Sequence, residues 1–263
     1  MRILTYINNR GERIEFSTYP LFIKSLTGIS EIAANVQTTK APFQDGSTYI
    51  DTVLDSRYPI LEGSISSTNK AVIDEQRQRI LRICNPKLGM GRIELEVNGM
   101  KRWIAGALDS VPTFPEKGEE VYQRFIISWE CPNPYWQDIN PTNIKLEDYV
   151  SNFSFPFSFP VSFAVRGDMR TLVNEGHAPA PVKITFVGES INPKITKVDT
   201  GEFIRVKRTI PEGYSLVITT GFDDKAVRII APDGVESNAM GYIDLNSTFF
   251  SLDIGENKLS FIT

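Results

Sequence analysis

The residues able to carry reaction chemistry are few and scattered. His177 is the only histidine among 263 residues and stands in Asn174-Glu-Gly-His-Ala-Pro179, a turn of small neighbours. A Ser-His-Asp or Cys-His device would need it as the base. No Gly-x-Ser-x-Gly elbow accompanies it anywhere in the chain. Cys84 and Cys131 are the two thiols, and with one remote histidine they do not make up a zinc ligand set or a disulfide framework. Glu119-Glu120 and Asp223-Asp224 are adjacent carboxylates beside glycines. Neighbours on an extended strand point to opposite faces, so these pairs read as solvated turns. An acid and base drawn from distant strands is the one arrangement that sequence leaves open. Gly89-Met-Gly91 is a turn ahead of a strand, and no phosphate or dinucleotide loop is present. The expectation is a chain with no catalytic, cofactor-binding or metal residues, and not an enzyme.

Binding chemistry is equally sparse. The net charge of −4 is spread evenly, with 16 Lys+Arg against 17 Asp+Glu over residues 1–138 and 12 against 15 over residues 139–263. Neither half is a basic nucleic-acid module. The densest basic group, Arg205, Lys207 and Arg208, reads as a solvated strand edge. Sugar sites favour exposed aromatic platforms, yet Trp103, Trp129 and Trp136 all precede residue 140. Beyond that point the tyrosines are Tyr149, Tyr214 and Tyr242. Carbohydrate binding by a β-sandwich is therefore the rival reading and not the leading one. No apolar run approaches the roughly 20 residues that span a bilayer, and Asn8, Asn9 and Arg10 interrupt the first apolar stretch too early for a secretion signal. Both cysteines then read as buried or half-buried thiols of a protein folded in a reducing compartment. The acceptor patterns at Asn152 and Asn246 read as chance.

The elements that must position these residues are mainly strands. Arg2–Ile7 and Arg13–Phe16 alternate across Asn8-Asn9-Arg10-Gly11, a hairpin signal. Phe22–Ile29, Tyr49–Leu54 and Ile60–Ile65 follow as strands, with a polar span around Lys40–Ser47 between the first two. The spacing of Val72, Ile73, Ile80, Ile83 and Cys84 predicts a helix over Asn69–Asn85. Thr68 or Asn69 would cap it, Asp74 and Glu75 would lie near its positive end, and Pro86 would stop it. Arg92–Val97 and Met100–Leu108 flank Asn98-Gly99, the dipeptide suited to a type I′ turn. Val121–Trp129 closes the first half.

Beyond Trp136 no segment has helical periodicity. In Asn152–Val165 every large apolar residue falls on an odd position, so one face of an extended segment is apolar. Its prolines confine it to an edge or a lead-in. Strands are expected at Val182–Val187, Lys194–Asp199, Glu202–Lys207, Ser215–Thr219, Ala226–Ile230, Tyr242–Leu245, Phe249–Asp253 and Lys258–Ile262, which suggests a β-sandwich or jelly roll. The fold class is thus mainly β: an α+β domain over residues 1–138 and an all-β domain over residues 139–263. Between them Trp129-Glu-Cys-Pro-Asn-Pro-Tyr-Trp136 concentrates two tryptophans and two prolines. It reads as a hinge stiffened by proline and wedged by aromatics.

The order of elements and several local motifs resemble the distal tail protein family of siphovirus-type bacteriophages and their prophages. The first half carries the helix, the Arg92–Leu108 hairpin and the aromatic close "FIISWECPNPYWQD". The second carries "NEGHAPAPVKITFVGES", "INPKITKVDTGEFIRV", "PEGYSLVITT" and "FFSLDIGENKLSF" in that order. His177 departs from the small polar or acidic residue expected after that glycine. The resemblance implies a virion protein of the tail tip, made in the host cytoplasm. It implies a homohexameric ring built by the first domain and a galectin-like sandwich in the second. The implied partners are the tail tube protein, the tail-tip hub and a receptor-binding protein, with no membrane and no specific nucleic acid.

Overall fold

The computed structural model describes residues 2–115, 121–140, 144, 148–150, 165–167, 169–222 and 224–262. Glu119, Glu120, Asp223 and the alternating Phe/Pro stretch up to residue 164 lie outside the described residues. About half of the chain is strand, 51%, against one α-helix, so the mainly β expectation holds. Two compact units divide the chain, Met1–Thr142 and Asn143–Thr263.

The first unit runs β1 (Arg2–Ile7), β2 (Arg13–Phe16), β3 (Leu21–Thr27), β4 (Ala34–Thr39), β5 (Thr48–Leu54), β6 (Ile60–Ser66), α1 (Lys70–Ile83), β7 (Gly91–Val97), β8 (Met100–Leu108), β9 (Tyr122–Glu130) and β10 (Gln137–Asp138). Its antiparallel sheet has the order β2-β1-β7-β8-β9-β6-β3, and β10 adds to β8. The two end strands meet at a parallel bridge, Ser17 to Phe22, so the sheet curls on itself. Alternation puts Leu4, Tyr6, Ile14, Phe16, Phe125, Ile127 and Trp129 inside. Asn98 and Gly99 turn β7 into β8 with φ of 52° and 84°, the left-handed pair that a type I′ turn requires.

Helix α1 closes this core with Ile73, Ile80 and Ile83. The Asn69 side chain caps it by accepting from the Ala71 amide at 2.9 Å. Asp74 and Glu75 fall beyond the first turn, so the expected acidic bias at the positive end is absent, while Arg82 does sit in the last turn. Buried Asn8 fastens the other end. Its Oδ1 accepts from the Arg10 and Glu12 amides, and its Nδ2 donates to the Ile83 carbonyl at 3.3 Å.

In the second unit β11 (Asp148–Val150) pairs with β12 (Val165–Gly167). Then come β13 (Met169–Asn174), β14 (Lys183–Val187), β15 (Ser190–Ile191), β16 (Lys194–Lys197), β17 (Phe203–Arg205), β18 (Thr209–Ile210), β19 (Ser215–Thr220), β20 (Lys225–Ile230), β21 (Glu236–Asn238) and β22 (Gly255–Ile262). Two four-stranded antiparallel sheets, β13-β22-β16-β17 and β14-β19-β20-β21, carry most of it. Ile195, Ile204, Leu259 and Phe261 from one join Ile184, Leu216, Ile218 and Val227 from the other in a single core. That is sheet-on-sheet packing.

Two expected strands are corrected. Tyr242–Leu245 is a 3-10 turn (Met240–Tyr242) followed by one bridge, Ile243 to Val206. The Asp244 carboxylate accepts from the Asn246 amide there and turns the chain away from the sheet. Phe249–Asp253 makes a single bridge, Leu252 to Ala180. The Asn257 side chain holds both the amide and the carbonyl of Asp253 within the turn instead. Conversely β13, which pairs along most of β22, was not expected, because Met169–Asn174 alternates too weakly to be seen.

Candidate assembly interface

The residues singled out for chemistry do not converge. His177 is exposed in a bend of the second unit. Cys84 and Cys131 are free and buried in the first-unit core. Among the described residues no group of three His, Cys, Asp or Glu is placed to hold a metal. Also among the described residues, no helix is long and apolar enough to cross a membrane. Arg205 and Lys207 converge on the Asp244 carboxylate at 3.5 and 3.2 Å, and Arg208 lies 4.3 Å over the Tyr242 ring. The Asn246 amide foremost, then Lys207 and Arg205, hold Asp244 below the usual carboxylate range. The basic group is thus internally paired, and the ring that a sugar could stack on is covered on one face. Tyr214 packs against the core.

Burial pushes the Tyr6 hydroxyl and the thiols of Cys84 and Cys131 each up to about 12. All three are acids whose folded pKa exceeds the unfolded one. Their stabilising effect is complete below about pH 9, where the unfolded thiols are still protonated, and is lost as pH rises towards 12. Urea midpoints of the first unit, followed by tryptophan fluorescence, are expected to be flat from pH 6 to 8 and to fall progressively above about pH 9. A midpoint that rises across that interval would contradict the burial of these groups.

The stretch Trp129–Trp136 is not a free hinge; it is fastened into the first unit. Cys131 and Arg57 exchange backbone hydrogen bonds at 3.0 and 2.8 Å. The Arg57 side chain, only 9% exposed, donates from Nε to the Pro134 carbonyl at 2.9 Å. Its Nη1 donates to the Ile29 and Glu31 carbonyls at 2.5 and 3.2 Å. Trp136 Nε1 reaches the same Ile29 carbonyl at 3.2 Å, and β10 then pairs with Arg102 and Trp103 of β8. Desolvation draws Arg57 below the usual guanidinium pKa, against the opposing pull of Cys131 and Glu31. Three backbone carbonyls from two chain segments therefore share one buried cation. Nothing in the local pattern Asp55-Ser-Arg-Tyr-Pro59 marks it in advance.

What Arg57 secures on its other side is the root of a projecting hairpin. Gly28 has φ +68° there, and the Tyr58 carbonyl oxygen lies 1.9 Å from where a Cβ would stand. Beyond the root, β4 and β5 pair only with each other among the described residues, and every one of their side chains is exposed. The register, Ala34 to Leu54, Val36 to Thr52 and Thr38 to Tyr49, collects the apolar and small residues on one face. Asn35, Gln37, Asp51, Thr39 and Thr48 occupy the opposite face, with Val53 the apolar exception. Ile50 is the extra residue of a bulge. An isolated two-stranded hairpin is marginal in water and normally needs something against its apolar face. β4 escaped sequence reading because Val36 is the only large apolar residue in Ala34–Thr39.

Comparison with known proteins follows the same division. A phage tail protein RIFT-related domain model matches residues 9–131, and a siphovirus-type tail component C-terminal domain model matches residues 175–263. Among solved structures the chain is similar to SPP1 Dit, described as a paradigm of the hub adsorption apparatus in phages infecting Gram-positive bacteria. The identity is 12% and the TM-score 0.67, over 98% of this chain and 94% of that one. It is also similar to a chain of the phage P2 baseplate in its activated conformation with Ca, at 8% identity and TM-score 0.58, over 100% of this chain and 98% of that one. The counterpart with Sr gives 9% and 0.54 over the same shares, 100% and 98%. At these identities the structural likeness establishes the fold. No curated protein sequence matches significantly.

Proposed function

Since the chain belongs to the siphovirus-type distal tail proteins, structural components of a phage tail, we propose that it assembles through its first unit into a closed hexameric ring. In this reading the ring joins the tail tube on one face to the tail-tip hub on the other. The second unit, a galectin-like sandwich, meets the adsorption apparatus, including a receptor-binding protein. The role is architectural, with no reaction and no cofactor. The observation that carries it is the hairpin of β4 and β5, whose apolar face has no cover among the described residues. Its two outer edges also lack strand partners among the described residues, as does the outer edge of β3 beyond Ile23. A head-to-tail contact between copies covers a donor surface on one and an acceptor surface on the next, and such contacts close into rings.

Light scattering of the full chain over a dilution series, with negative-stain microscopy, tests this. Closed rings are expected at high concentration, alone or with the tube and hub proteins added. A chain that stays monomeric under all these conditions, or rings formed by residues 139–263 alone, would overturn the assignment.

A further inference from the structure

We infer that Phe43, at the tip of the β4–β5 hairpin, is an anchor that inserts into the first unit of a neighbouring copy. This rests on the ring reading and adds to it the residue that grips. The tip is an ordered turn. The Gln44 amide donates to the Ala41 carbonyl at 3.2 Å, and the Gln44 side chain accepts from the Ala41 amide at 3.0 Å and donates to Thr48 Oγ1 at 3.3 Å. Pro42 fills the second position of this turn and Phe43 the third, with φ +63°. A proline followed by positive φ is the type II arrangement, whose third position is the usual place for glycine or asparagine. A phenylalanine there is strained. It is also wholly exposed, at 107%, so no contact among the described residues repays the strain. A rigid aromatic presented on a fixed turn is what a buried interface anchor requires.

The occupant of the matching seat is a second copy of this chain. Phe43 stands at the tip of the hairpin that carries exposed Val36, Tyr49 and Ile50, and the same chain supplies the uncovered edge of β3 for a head-to-tail partner. A ring gives every arm one equivalent seat on its neighbour.

The test uses the full-length chain. Phe43→Asn keeps a residue that tolerates the turn but removes the ring, and it is expected to weaken self-association by about tenfold or more. Its thermal midpoint should be unchanged or raised. Phe43→Tyr is expected to assemble within a few-fold of the parent. With Phe43→p-benzoylphenylalanine, ultraviolet light should give covalent oligomers of this chain, with the crosslink in residues 1–142 of the neighbour. Normal assembly of Phe43→Asn, or crosslinks only to a tube or hub protein, would overturn the anchor. If the parent chain itself forms no oligomer, alone or with the tube and hub proteins, it is the ring reading that fails.

Discussion

An Arg57→Met variant is expected to lose about 3 kcal/mol of first-unit stability. The side chain is 9% exposed, so solvent screens little of the effect. Methionine fills the space of the stem but leaves the carbonyls of Ile29, Glu31 and Pro134 without their charged donor. Loss of a charged donor costs on the order of 1 kcal/mol for each acceptor, and of the three the Ile29 carbonyl keeps a second donor in Trp136 Nε1. Arg57→Lys keeps the charge but not the fork that reaches two directions, so an intermediate loss is expected. All three tryptophans lie in the first unit, so their fluorescence during urea unfolding reports this unit alone. Amide exchange should accelerate around residues 28–33 and 131–138 together, since one guanidinium holds both. A midpoint within about 0.5 kcal/mol of the parent would show that the clamp contributes little beyond an ordinary surface residue.

The second large effect concerns assembly and not folding. Replacing residues 34–54 by a short Gly-Ser link should reduce self-association by about a hundredfold or more, equivalent to roughly 3 kcal/mol. The deletion is structurally mild because the hairpin closes on itself at its base, where the Asp55 amide donates to the Ala33 carbonyl at 2.9 Å. No hairpin side chain of β4 or β5 is buried, so the urea midpoint read by tryptophan should not move. Loss of assembly with an unchanged midpoint separates an interface from a core element. Rings that form normally without the hairpin would show that it is no part of the ring contact and leave its apolar face unexplained.

Much of the fold was legible because its determinants are local. Asn98-Gly99 sets its hairpin through two φ values. Asn69 caps α1 through its own side chain, and the Ile73, Ile80 and Ile83 stripe needs only helical period to find one face. Strict alternation in β9 places Phe125, Ile127 and Trp129 inside without reference to any partner. Composition and single residues also sufficed to predict that Cys84 and Cys131 are buried or half-buried thiols, and both are buried.

The sequence by itself therefore determined a mainly β chain with one helix and the identity of most core-facing residues. It also carried the motif order that resembles the distal tail family. Tertiary structure decided the rest. It joined Trp129–Trp136 to the first unit through Arg57, 77 residues from Pro134 along the chain. It freed β4 and β5 from any core and broke Tyr242–Leu245 and Phe249–Asp253 out of the sheets. The physical reason is common to all of these. Periodicity reports which face of a segment is apolar, whereas the partner of a buried cation or of an exposed apolar face is fixed by contacts between distant segments. Those contacts leave no spacing in the chain to be read.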